Sequence, residues 1–460
     1  MNRRAETSPL ARLTATFYAL RRPAFSILFA LLMASSVWMY FQRVMIPHQQ
    51  NEAVRDDKPR GNLSDLYPRW LGARELLLHR RDPYSAEITR EIQAGYYGRV
   101  LDPDRPHDPK DQQAFAYPLF VVWLLAPMVG LPFWIAQRLT LIVLVALTVL
   151  SVFVWLETLD WSLPFHGKIA WALLTVSCLP AVQGLKLQQL TLLVAALIAF
   201  AVIAISRNRL MAAGILLAFA TIKPQLLFLL IIWLGIWISA DWRSRRKLLW
   251  SFGFTMTLLV GASQVLLPGW IREFNQAMNS YYRYTGGGQS LLDVVLTPVW
   301  GHLCAFIIVV FFLVLVWRLR SYPASSPQFQ FAVSFTLATT LLVIPMFAPY
   351  NQILLLPAAM MLIRATMHRP NIGFLSRFFV FVMKLSVAWP FLTAALLLMA
   401  LPLIPSQVVD KGVGLPFYST LSLPISVFAT LLILKNQLIS REVGDRDASC
   451  PTLQASAASE

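Results

Sequence analysis

The sequence has 460 residues, 57% of them hydrophobic and only 13% charged, with a formal net charge of +16. A soluble domain is about half apolar and roughly a quarter charged, so this composition excludes an ordinary cytosolic enzyme, a disordered chain, a collagen repeat and a coiled coil. Nor does the charge mark a nucleic-acid binder: residues 46–114 hold 12 acidic and 11 basic residues, leaving 28 basic against 11 acidic elsewhere, mostly between apolar runs, where Lys and Arg orient a membrane protein and meet anionic lipid headgroups.

Residues 1–23 form a basic arm with Arg3, Arg4, Arg12, Arg21 and Arg22, expected in the cytoplasm. The apolar run from Ala24 to about Ile46 is long enough to cross roughly 30 Å of hydrocarbon and too long for a cleaved signal sequence, which predicts an uncleaved anchor. Residues 46–114 then form a long extracytoplasmic loop. Within it Asn62-Leu63-Ser64-Asp65 opens a helix running to about Arg80, with Asp65 as N-cap and Pro68 in the first turn. Leu66, Trp70, Ala73 and Leu77 recur at helical spacing, as in an interfacial helix lying on the membrane with its apolar side down. Asp82-Pro83-Tyr84 ends that helix, and a second amphipathic stretch runs from Ser85 to about Tyr97.

Further apolar runs centre on 115–133, 138–156, 188–206, 209–222, 225–239, 248–267, 299–318, 329–346, 351–364, 377–401 and 416–434. With the first they predict an all-α polytopic bundle of about twelve spans, eleven to thirteen being compatible, as one membrane domain over 24–440 followed by a cytoplasmic, disordered tail over 441–460. The clusters Arg207/Arg209, Arg243/Arg245/Arg246/Lys247, Arg318/Arg320, Arg364/Arg369 and Lys435–Arg441 all fall in the cytoplasm only if residues 167–187 re-enter instead of crossing, or if a neighbouring boundary is misplaced. Polar outer turns then lie near Lys186–Gln189, Lys223–Gln225 and Pro349–Gln352. Cys178, Cys304 and Cys450 have no metal-ligand spacing.

In order along the chain, the anchor, the Asp-led outer loop, Asp82-Pro83-Tyr84, Tyr117-Pro118 and Thr221-Ile222-Lys223-Pro224-Gln225 resemble glycosyltransferase family 87 from about residue 30 to 270. The resemblance implies a GT-C type membrane fold. It also implies an enzyme moving mannose, or another hexose or pentose, from a polyprenyl-phosphate donor to a lipid-linked or cell-envelope glycan outside the cytoplasm, with the bacterial plasma membrane as its location and inversion at the sugar. The sequence departs from the family's pattern in two places: Leu119 stands where Tyr-Pro-Pro has its second proline, and the Gly-Gln-x-Asn turn appears only as Leu187-Gln188-Gln189-Leu190. A late functional His has no aligned counterpart, His302 lying in an apolar run and His368 on the cytoplasmic side.

Such a donor carries its own phosphate leaving group, so the protein needs cations at the lipid–water boundary and no nucleotide loop or cofactor. Asp65 either caps its helix or takes a proton from the acceptor hydroxyl; the roles are compatible, because a cap uses one carboxylate oxygen. The resemblance favours the catalytic role. Lys223 is placed to meet the phosphate or to snorkel at a span end, with Arg69 and Arg74 as alternative phosphate contacts or headgroup-facing residues. Gln188 and Gln189, and Tyr350, Asn351 and Gln352, offer hydrogen bonds to sugar hydroxyls or close span ends. Tyr281, Tyr282 and Tyr284 stack on a sugar or belong to an aromatic belt, and Gly286–Gly288 loosen their loop. Asp102-Pro103-Asp104 has the spacing of a metal-binding pair but sits in charged, Pro-rich loop, so metal-independent transfer is expected. The rival reading is a transporter or flippase for a polyprenyl-linked lipid; such proteins carry ionisable groups within their spans, where this sequence has chiefly Lys384.

Overall fold

A computed structural model describes residues 23–56, 64–102, 104–105, 107–284, 288–345, 347–368 and 373–439. Most of the basic arm, Asn62 and Leu63, Gly286 and Gly287, Arg369 and the 441–460 tail lie outside the described residues.

Every regular element among the described residues is helical. Helix α1 (Pro23–Tyr40) passes through one π turn into α2 (Ile46–Arg55), and the outer loop supplies α3 (Leu66–His79) and α4 (Ala86–Tyr97). The short α5 (Val121–Leu125) precedes α6 (Phe133–Thr158), α7 (Phe165–Ser177), α8 (Leu179–Leu187), α9 (Thr191–Ser206), α10 (Leu210–Ala220), α11 (Pro224–Ala240) and α12 (Trp242–Leu266). After the amphipathic α13 (Trp270–Tyr284) come α14 (Leu291–Leu296), α15 (Pro298–Leu319), α16 (Pro327–Val343), α17 (Leu356–His368), α18 (Phe374–Ala400), α19 (Ser406–Lys411) and α20 (Ser419–Ile439).

Six helical stretches are long and apolar enough to cross a membrane, and the pair α7–α8, bent by 58°, makes up to seven. The protein is thus a multi-pass helical membrane protein. Helices α9, α10 and α11, with 16, 11 and 17 residues, are apolar but short; at 1.5 Å per residue α10 reaches only about 16 Å, well under a bilayer core. These short helices matter for function, because their polar ends sink into the protein.

Two expectations are corrected. The apolar run 115–133 does not form a spanning helix: only Val121–Leu125 is α-helical, continuing into a single tight turn at Ala126–Met128. Its apolar residues Phe115, Leu119, Phe120, Val121, Val122 and Leu125 are buried in the protein instead. Likewise, α3 is not laid on the lipid surface. Leu66, Arg69, Trp70, Gly72, Ala73, Glu75 and Leu76 are buried around most of its circumference, leaving the stripe Tyr67, Leu71, Arg74, Leu78 partly open. Gly72 permits this docking, since a Cβ there would lie 2.5 Å from the Phe115 ring, and the Trp70 indole donates to the Met128 carbonyl (3.1 Å).

The centre of the bundle is α16, buried from Gln328 to Leu342 apart from the half-buried Gln330 and packed against α11, α15 and α20. Its buried Thr336, Thr339 and Thr340 suit this enclosed position because each hydroxyl donates to a carbonyl of its own helix. Helices α10 and α12 cross closely at Gly214, where a Cβ would fall 2.5 Å from the Leu248 carbonyl oxygen and closer still to the Ser251 hydroxyl. Small residues permit such approaches between membrane helices. Gly214→Ala is expected to lower the unfolding temperature in detergent by several degrees, an overpacking cost of about 1–3 kcal/mol; an unchanged melting curve would show that the crossing relaxes freely.

Candidate active site

Four polar segments meet at one end of the bundle: the residues leading into α3, the α8–α9 turn, the α10–α11 turn, and the tight turn Pro349–Leu355 leading into α17. With the segment 111–118 and one face of α13 they enclose a cavity of about 780 Å³.

Asp65 stands immediately before α3, yet its side chain makes no capping bond. Its backbone N–H donates to the Leu187 carbonyl (3.1 Å), which ties the start of α3 to the end of α8. The neighbouring Ser64 hydroxyl donates to Gln188, whose own amide donates to the Gln137 carbonyl. Gln188 adopts a left-handed backbone (φ 51°) that ends α8 and turns Gln189 toward Asp65.

The Gln189 side chain is the hub. Its Nε2 donates to Asp65 Oδ2, while its Oε1 accepts from Lys223 Nζ (2.9 Å) and, more distantly, from Arg69 Nη2 (3.5 Å). The Arg69 guanidinium fixes the amide's orientation, because a flipped NH₂ would face it; burial and the Arg69 charge press the Lys223 ammonium well below the ordinary lysine range, and the Asp65 charge opposes them. Lys223 also donates to Thr191 Oγ1 (2.8 Å), which in turn donates to Asn351 Oδ1 (3.0 Å). The Lys223 ammonium lies 5.0 Å from the Tyr350 ring centre, and the Arg69 guanidinium 4.2 Å from that of Tyr117. Arg69 is buried, and its Nε and Nη1 have no hydrogen-bond acceptor among the described residues. Donors fixed in place without acceptors suit an anion.

Burial pushes the Asp65 carboxyl above the ordinary aspartate range, opposed by the charges of Arg69 and Lys223 and by hydrogen bonds from Gln189 and Tyr96. A second carboxyl, Asp111, lines the same cavity and is raised by burial and by the Asp65 charge, against bonds from Gln113. The segment carrying Asp111 is held by α4, where the Tyr97 hydroxyl donates to the Asp111 carbonyl (2.8 Å) and Gln93 to that of Gln112 (3.2 Å).

Of the residues singled out from sequence, Asp65, Arg69, Gln189, Lys223, Tyr350 and Asn351 line one cavity. Arg74, Gln188 and Gln352 are not on its wall. Arg74 donates to the Val129 carbonyl (3.3 Å) and lies over Trp70, and Gln352 donates to the Thr420 carbonyl (2.6 Å). The tyrosines 281, 282 and 284 of α13 do line the cavity. Asp102 and Asp104 lie off it, Asp104 N–H donating to the Asp102 carboxylate (3.0 Å), and among the described residues no three His, Cys, Asp or Glu gather as for a metal. His302 is largely exposed, its Nε2 3.6 Å from Asp293. Sequence reasoning missed Asp111, Gln113 and Tyr96; the first two sit at the end of the 46–114 outer loop, beyond its predicted helices, and the only signal for Tyr96 was its place on the second predicted helix.

Residues 115–345, half of the chain, match glycosyltransferase family 87. The chain belongs to glycosyltransferase family 87. The matched segment carries Tyr117, Gln189, Lys223 and the tyrosines of α13, while Asp65 precedes it and Tyr350 and Asn351 follow it. No curated protein and no solved structure matches the chain. A glycosyltransferase needs a donor site and an acceptor site facing one reacting bond, and the volume of this cavity lies within the usual range of ligand sites.

Proposed function

We propose that this glycosyltransferase moves a hexose or pentose, mannose among the options, from a polyprenyl-phosphate donor to a lipid-linked or cell-envelope glycan acceptor at the extracytoplasmic side of the plasma membrane. The reading is carried by one observation: Asp65, Gln189 and Lys223 form a continuous hydrogen-bonded chain on the wall of a single cavity. In this reading Asp65 is the general base. Its remaining oxygen takes the proton of the acceptor hydroxyl as that oxygen attacks the anomeric carbon from the face opposite the phosphate. The glycosyl–phosphate bond breaks, its electrons leave on the phosphate, and Lys223 and Arg69 stabilise the departing charge. Gln189, Tyr350 and Asn351 orient the sugar between base and cations. Asp65 and the phosphate cations act without a cofactor, and the expected chemistry is metal-independent.

The proposed topology is of GT-C type with twelve crossings. The bent pair α7–α8 takes the place of the run 115–133, so that 165–187 crosses fully. Alternation then brings the Arg207, Arg243–Lys247, Arg318 and Arg364 clusters and both termini to the cytoplasm, and the Asp65, Gln189, Lys223 and Tyr350 turns to the outer side, with no re-entrant segment needed.

The test is incubation of the purified protein in lipid with a panel of polyprenyl-phosphate sugars and glycolipid acceptors. Consumption of one donor with appearance of its glycosylated acceptor is expected; a panel wholly unconsumed in the presence of a native membrane-lipid extract would refute the reading. A pH profile adds a second check. A base must be ionised, so kcat/KM should fall with decreasing pH through an apparent pKa above that of an ordinary aspartate. Because Arg69 favours the ionised form, Arg69→Gln should move this limb to still higher pH; a shift to lower pH would remove Asp65 as the titrating group.

A further inference from the structure

The cavity carries two kinds of lining. Besides Lys223 and Arg69, its wall holds Asp111 and Gln113 together with Asn275, Asn279, Tyr281 and Tyr284 of α13, and Asp111 lies close enough to Tyr281 and Tyr284 for its charge to act on both. We propose that this second lining is the acceptor subsite, binding an uncharged, polyhydroxylated sugar as the terminal unit of the acceptor. This inference rests on the transferase reading above and assigns the part of the cavity that reading leaves without an occupant.

Four observations carry it. First, a carboxylate accepts hydrogen bonds, as does a phosphate ester at neutral pH, so Asp111 and the donor phosphate do not pair; sugar hydroxyls donate and pair with both. The phosphate is thereby left to Lys223 and Arg69. Second, the Asp111 loop is built. Its Oδ1 accepts from the Gln113 N–H (3.0 Å) and its Oδ2 from the Gln113 side-chain amide (2.8 Å), which holds Gln113 in a left-handed backbone (φ 53°) that a non-glycine residue rarely adopts. Backbone in such a conformation persists where surrounding bonds over-determine it, and it concentrates at binding sites. Each carboxylate oxygen retains a second lone pair for a ligand.

Third, α13 presents amide and aromatic groups at helical spacing. Asn275 and Asn279 are four residues apart on the cavity side, followed by Tyr281 and Tyr284, whose rings meet edge to face at 5.4 Å. The Tyr284 hydroxyl is buried with no hydrogen-bond partner among the described residues, a group that a ligand hydroxyl would satisfy. Fourth, Asp65 and Asp111 line the same cavity, near enough for the Asp65 charge to raise the Asp111 carboxyl, so an acceptor held by Asp111 is brought beside the base.

The test is binding by the full chain in lipid nanodiscs, without turnover. Ligand-observed NMR follows methyl glycosides of mannose, glucose, galactose and arabinose, and native mass spectrometry follows polyprenyl phosphate. At least one glycoside should bind the wild type. Asp111→Asn and, separately, Tyr284→Phe should weaken it about tenfold while polyprenyl phosphate affinity changes less than about twofold, and Lys223→Met should do the reverse. The near-isosteric Tyr284→Phe guards against a folding defect, and a monodisperse elution profile is required of each variant. The subsite is overturned if no glycoside binds, if both variants leave glycoside affinity unchanged, or if Asp111→Asn weakens polyprenyl phosphate as much as Lys223→Met does. Donor consumption in the transfer assay with glycoside binding indifferent to Asp111 sinks the subsite alone. A donor panel left unconsumed sinks the transferase reading, while the glycoside titration still decides whether this wall binds sugar.

Discussion

Asp65→Asn is expected to reduce sugar transfer by about two to four orders of magnitude, the span associated with a positioned general base, while leaving the protein folded. The substitution is nearly isosteric, and the new side-chain oxygen still accepts the bond from Gln189 Nε2 that the carboxylate accepts now. It removes the capacity to take a proton together with the negative charge that faces Arg69 and Lys223. The side chain makes no capping bond to α3, so the loss of helix stability that follows replacement of a true N-cap, about 1 kcal/mol, should not appear. Activity and melting temperature therefore separate the two roles that the sequence leaves open. A large fall in transfer with an unchanged melting curve supports the base. Retained transfer removes Asp65 from the chemistry.

Lys223→Met should lower kcat/KM for the donor by about two to three orders of magnitude, the scale of removing one preorganised charge from a developing anion. Met matches the lysine stem in length and keeps its packing. The ammonium is buried at 5% exposure and bonded to Gln189 and Thr191, so its loss also strands two acceptors, at about 1–3 kcal/mol. The informative quantity is hence the comparison of donor and acceptor parameters within folded protein. A deficit confined to the acceptor KM would contradict the assignment of Lys223 to the donor phosphate.

Much of the bundle was legible in the sequence, because long apolar runs bounded by basic clusters restrict the ways a chain can cross a bilayer. The error at 115–133 has a clear cause. Apolar density does not distinguish a chain buried in lipid from one buried in protein, and Phe115, Leu119 and Phe120 are covered by α3 and its surroundings. The same ambiguity applied to α3, whose apolar spacing looked one-sided while Arg69 and Glu75 turn out buried as well. Around the site, Lys223 stood out because a charged side chain between two apolar runs marks a break that an uninterrupted span would exclude. Gln188 and Gln189 could not be separated by composition; the left-handed turn at Gln188 decides which of them faces the cavity. Arg69 and Arg74 were separable in principle, since five residues along an α-helix rotate a side chain by roughly 140°, and one cavity cannot readily receive both. Asp111 carried no such signal, because its position depends on bonds from Tyr97 and Gln113 that only the folded loop brings together.

The single amide of Gln189 touches both the carboxylate and the ammonium. In the proposed mechanism, acceptor activation and leaving-group departure are therefore not separate adjustments. Any change that draws the ammonium away lets the amide swing, and the carboxylate loses its alignment in the same event. Paired substitutions at the two ends should cost far less than the product of their separate penalties, and a redesign for a poorer leaving group would have to retune the base as well.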